Sequence, residues 1–134
     1  LVVSVEFPIL YIDPTDPQST VYVIDSLRSA EGGELEYFDV KDENFVIWDS
    51  HGVRVHAAVR DDEVHWLELT ATGTEDMQGL REAISRYAES TGVPATDLQG
   101  LTPFEAVRRI EEVAQQRDRE RRRARRWYQF WRSG

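Results

Sequence analysis

Between Glu34 and Thr70, four short runs rich in β-branched and aromatic residues are separated by clusters of turn formers. The runs are ELEYFDV, FVIWD, VRVHAAVR and VHWLELT, and the separators are KDEN, SHG and the acidic residues from Asp61. Strand-length segments punctuated in this way predict an antiparallel meander over residues 34–70. A KDEN loop pairs Val40 with Phe45, Phe38 with Ile47 and Tyr37 with Trp48. Asp49-Ser50-His51-Gly52 reads as a type I turn with Gly52 left-handed, which pairs Ile47 with Val55 and Trp48 with Arg54. The last hairpin has two registers: a turn of Asp61-Asp62 sets Val59 opposite Val64, and a turn of Asp61 to Glu63 sets Ala57 opposite Leu67.

Side chains alternate along a strand, so these registers define two faces. One holds Phe38, Val40, Phe45, Ile47, Val53, Val55, Ala57 and Val59, and is the expected core face. The other mixes Tyr37, Asp39, Val46, Trp48, Arg54, His56, Ala58 and Arg60.

Outside the meander, residues 2–12 predict an N-terminal strand, at an edge or bulged at Pro8. Asp16-Pro17 suits a helix start, and a short helix over residues 19–30 is favoured, although TVYVI suits a strand equally. Thr74-Glu75-Asp76 opens a helix to about Ser90, with Met77, Leu80, Ile84, Tyr87 and Ala88 as its apolar stripe and Gly92 as its C-cap. Thr102-Pro103-Phe104-Glu105 combines an N-cap, a proline at the first helical position and a capping box. The helix that starts there meets no further Gly or Pro until Gly134. The expected class is α+β: a mainly antiparallel four- to five-stranded sheet packed on one face by helices, with a long C-terminal helix.

The long helix changes character along its length. At about 100° per residue, Ala106, Ile110 and Val113 share a face with Ala124, Trp127, Tyr128 and Trp131, and Arg117, Glu120 and Arg121 interrupt it. Val113 to Trp131 spans about 27 Å, so the aromatic end should project past a small body. Charge divides at the same place. The chain carries a formal charge of −9, but from Gln115 onward eight arginines face only Asp118 and Glu120, a net +6. Residues 1–114 therefore form an acidic body of net −15, and residues 115–134 a basic, aromatic-ended extension. Three uses of that extension are open. It folds back over the second sheet face, it joins a partner or a second copy, or it binds nucleic acid or a membrane surface. The single lysine, Lys41, also allows the arginines to reflect genomic base composition rather than function.

Chemistry is sparse. Zero cysteine excludes disulfides, thiolate metal sites and a cysteine nucleophile. The phosphate-binding loop, dinucleotide fingerprint, nucleophile elbow and paired-histidine zinc motif are absent. His51 sits in a tight turn. His56 and His65 share a face only in the shorter-turn register, where Glu63 or Asp39 could complete a ligand set; the longer turn separates them. No metal and no cofactor are expected. No apolar stretch reaches the roughly 20 residues of a bilayer span. The apolar start LVVSVEFPILY has no basic residue before it and does not read as a signal peptide. Its first residue is Leu1 rather than a methionine, which reads as trimming, and a cytoplasmic location is expected.

The function expected from these features is a non-enzymatic protein-interaction module, self-associating as a homodimer through the acidic body and the Arg/aromatic helix. One alternative is a small-molecule site or enzyme on the mixed face, with Trp48 as stacking platform and His56 or His65 as acid/base. The other is nucleic-acid binding by the extension. The candidate binding residues are Tyr37, Trp48, Arg54, His56 and His65 on the sheet, and Arg121, Arg125, Trp127, Tyr128 and Trp131 on the helix.

Overall fold

The computed structural model describes residues 5–35, 40–41, 45–60 and 65–133. The elements are β1 (Ile9–Ile12), β2 (Val21–Ile24), a single turn α1 (Leu27–Ser29) running into a π turn (Ala30–Glu34), β3 (Val46–Trp48), β4 (Val53–Val59), β5 (Leu67–Glu75), α2 (Met77–Thr91), a 3-10 turn (Ala95–Leu98) and α3 (Pro103–Ser133). The five strands form one antiparallel sheet in the order β2-β1-β3-β4-β5. The α+β class expected from sequence is the one observed.

The central hairpin forms as its turn chemistry dictates. Ile47 pairs with Val55 and Trp48 with Arg54. Gly52 takes φ 80°, a conformation that costs an L side chain energy and glycine almost none. The Asp49 carboxylate accepts from the backbone N–H groups of His51 and Val53 at 2.8 and 3.0 Å and locks the turn.

Four expectations need correction. The place beside β3 reserved for residues 34–40 is taken by β1, which pairs Leu10 with Trp48 and Tyr11 with Ile47. Glu34 lies in the π turn, Val40 and Lys41 are helical, and residues 36–39 lie outside the described residues. The reason is burial: Ile9, Leu10 and Tyr11 are all buried, which suits an inner strand covered on both faces. The N-terminal strand is thus internal rather than an edge, and Pro8 simply precedes it.

Second, residues 21–24 are a strand, not a helix. Tyr22, Val21, Val23 and Ile24 pair with β1, and Asp16 closes a turn onto the N–H of Gln18 at 2.9 Å instead of capping a helix. Third, neither register proposed for the last hairpin occurs. Ala57 faces Leu69, His56 faces Thr70, and the N–H of Arg60 donates to the carbonyl of Trp66. The link therefore lies between Arg60 and Trp66, longer than the acidic dipeptide suggested. Fourth, the TATGTE stretch extends β5 to Glu75, so α2 starts at Met77 with Asp76 as its N-cap.

Each sheet face carries a core cluster. Leu10, Val21 and Trp48 pack against α2 and the first turns of α3, through Leu80, Ile84, Ala88, Val107 and Ile110. Ile9, Tyr11, Ile47, Val55 and Leu67 pack under Ala30, Leu35 and Val40. The helices thus cover the Val46 and Trp48 part of the face that the sequence marks as mixed, and Ala30, Leu35 and Val40 lie over the face it marks as core.

Candidate functional site

The sheet candidates are not assembled into one site. Trp48 is 2% exposed and belongs to the core between the sheet and the two long helices. Its indole N–H donates to Asp76 Oδ2 at 3.2 Å. Asp76 Oδ1 also accepts from the N–H of Gly79 at 3.2 Å, which caps α2. The Arg54 guanidinium sits 5.7 Å from the Trp48 ring centre and 3.6 Å from Asp76 Oδ2. Trp48, Arg54 and Asp76 therefore tie β3 and β4 to the start of α2, and Trp48 is not available as a stacking platform. Tyr37 lies outside the described residues.

The histidines are kept apart. His56 is exposed on β4 opposite Thr70. His65 reaches Glu31 Oε1 at 2.6 Å, and the same glutamate accepts from the N–H of Trp66 at 3.1 Å. His51 contacts the carboxylate of Glu6. The longer β4–β5 link carries His65 off the sheet face that holds His56. Among the described residues no group of three His, Asp or Glu side chains is arranged to hold a metal ion.

Perturbed acids do local structural work. Thr15 holds the Asp13 carboxyl below its ordinary value, first by its hydroxyl and then by its backbone N–H. Thr102 does the same for Glu105, first by its backbone N–H and then by its hydroxyl. Burial pushes Tyr87 up, followed by the charges of Glu111, Tyr22 and Asp16. None of the three pairs with a second group as an acid and base acting across one bond.

The helix candidates occupy a different setting. α3 opens with the capping box read from sequence: the N–H of Glu105 donates to Thr102 Oγ1 at 3.2 Å, and the N–H of Thr102 donates to Glu105 Oε1 at 3.1 Å. Ala106, Val107 and Ile110 are buried, Val113 is half-buried, and residues 115–132 are exposed. Arg117 ties the exposed part back to the body. Its guanidinium donates to the carbonyls of Thr91 and Gly92 at 2.6 and 2.9 Å, satisfying the end of α2.

Beyond Arg117 the helix continues unbroken, without folding back over the sheet. Trp127, Tyr128, Phe130 and Trp131 are 62%, 65%, 70% and 76% exposed. Phe130 meets Trp127 edge-on at 6.2 Å, and Arg132 lies 5.8 Å over the Tyr128 ring. At about 100° per residue the four rings cover an arc of about 160°. Arg121, Arg125 and Arg132 flank the Tyr128 edge of that arc. Phe130 joins this exposed aromatic cluster although the apolar-stripe count left it out, because it falls just outside the stripe.

A second feature without a sequence signal lies at the other end of α3. Ile84 and Ala88 of α2, Val93, Leu98, Leu101 and Pro103 line a concavity of about 850 Å³. Leu101 at its mouth is 37% exposed. These residues come from two helices and the connector between them, so only the packing brings them together. No described helix is long and apolar enough to cross a membrane. No protein-family model matches the chain, and no curated protein or solved structure matches it either.

Proposed function

We propose that this chain is a non-enzymatic protein-interaction module that associates with a second copy of itself through the exposed part of α3. The observation that carries this reading is the set of four large aromatic side chains, each more than 60% exposed, at the end of a helix that leaves the body. Solvated apolar patches of this kind mark interaction sites. Trp, Tyr and Arg together are the residues that most often anchor interfaces. The scattered histidines and the local roles of the shifted acids support the non-enzymatic part of the reading. The small-molecule alternative has less support, since Trp48 is buried and His56 and His65 have separate surroundings.

The test is light scattering on the full chain across a concentration series, beside a Trp127→Ser/Trp131→Ser variant. The native chain should show twice the monomer mass and the variant the monomer mass. A monomer mass for both at every concentration would exclude self-association. The eight arginines from Arg117 to Arg132 favour a second reading, binding of a polyanion such as nucleic acid. Fluorescence anisotropy with a labelled oligonucleotide should then show binding that weakens steeply with salt, and no binding at low salt removes that reading.

A further inference from the structure

The apolar concavity and the aromatic cluster lie at opposite ends of one helix. Pro103 lines the first and Trp131 belongs to the second. The rise of a continuous helix puts about 42 Å between them, so a chain cannot bring its own aromatics to its own groove. We infer that two copies pair through antiparallel α3 helices, each seating its aromatic end at the other's groove between α2, the 3-10 turn and the start of α3. This inference rests on the self-association proposed above and names the surface and the orientation it uses.

Two features select a second copy as the occupant. The first is symmetry. An antiparallel pair has a two-fold axis, and a groove at one helix end with its apolar complement at the other satisfies both contacts at once. The closed dimer leaves neither feature free to recruit a third chain.

The second is charge order. Arg109, Glu112, Gln116, Glu120, Arg123 and Trp127 are all exposed and fall within one stripe of α3. A two-fold axis beside Arg117 and Asp118 sets Glu112 of each copy opposite Arg123 of the other. It also brings Trp131 level with the first turn of the other copy's α3, where Leu101 and Pro103 line the groove. At the scale of the whole chain, a +6 arm then meets a −15 body rather than another basic arm. A parallel pairing would set Glu112 against Glu112 and Arg123 against Arg123, which opposes association.

Sedimentation of purified full-length variants tests the inference. Leu101→Glu and Ala95→Glu alter the groove at exposed positions, so the fold should be retained, with circular dichroism as the check. Trp127→Ser/Trp131→Ser alters the arm. Each should weaken dimerisation by about tenfold or more, as expected for anchor residues and their pocket. An equimolar mixture of a groove variant with the arm variant should recover more dimer than either alone. In the mixed pair one native arm meets one native groove. If both groove variants dimerise like the native chain while the arm variant does not, self-association stands and groove docking is overturned. If the native chain is itself a monomer, the underlying reading falls as well. A mixture that recovers no dimer overturns the reciprocal, antiparallel arrangement.

Discussion

Asp76 holds three elements at once. Its carboxylate caps α2, accepts from the Trp48 indole and faces Arg54. Replacing it with alanine removes the cap and leaves a buried indole N–H without its acceptor. Asp76→Ala should cost about 2 kcal/mol, as a shift in the urea midpoint. Asp76→Asn should cost less, because an amide oxygen still caps the helix. Gly92 makes a sharper case. Its φ is 78°, and a Cβ there would lie 2.5 Å from Nη1 of Arg117. Gly92→Ala should therefore destabilise by about 1 kcal/mol, and by more if Arg117 loses its two carbonyl contacts. The left-handed C-cap at Gly92 was legible in the sequence, because helix termination is a local property. The partnership of Asp76 with Trp48 was not, because it joins residues 28 positions apart.

Elements whose signals are local formed where the sequence placed them. The capping box of α3, the Gly52 turn and the end of α2 all depend on contacts within a few residues. Thr102→Ala should cost about 1 kcal/mol through loss of the N-cap. Glu105 adds a pH dependence of known sign. Its folded-state carboxyl is held below the ordinary value by Thr102, so its contribution is fully present above the unfolded-state value. That contribution disappears as the pH falls through the folded-state value. Thermal melts from about pH 6 down to about pH 3 should show a shallower acid loss for Glu105→Gln than for the native chain. An unchanged slope would contradict the box. Strand assignments fared less evenly. TVYVI satisfies a helix and a strand equally by periodicity, and the decision came from an apolar β1 able to pair with it. The β4–β5 register was undecidable for a similar reason. Each one-residue slip traded a good pair near the turn for a good pair far from it, and the observed register places Leu67 and Leu69 in the core cluster that holds Val55.

At the scale of the whole molecule, core packing and the exposed aromatics occupy separate parts of one helix. Ile110 is fully buried against the sheet, and Ile110→Ala should cost about 2–5 kcal/mol in urea unfolding. Trp131 is 76% exposed, and Trp131→Ser should leave monomer stability within about 0.5 kcal/mol while weakening self-association. A large loss of stability from the second change would mean that the aromatic end packs on its own body. The sequence by itself determined the α+β class, the central hairpin and its register, the C-cap of α2 and the capping box of α3, and the division into an acidic body and a basic, aromatic end. All of these follow from interactions between near neighbours or from counting charge. The tertiary structure alone decided which strand lies beside β3, which sheet face the helices cover, and that the aromatic end stays in solvent. It alone created the groove at the start of α3. Those outcomes depend on competition between distant apolar segments for the same buried surface, and periodicity states that a face is apolar without stating what will cover it.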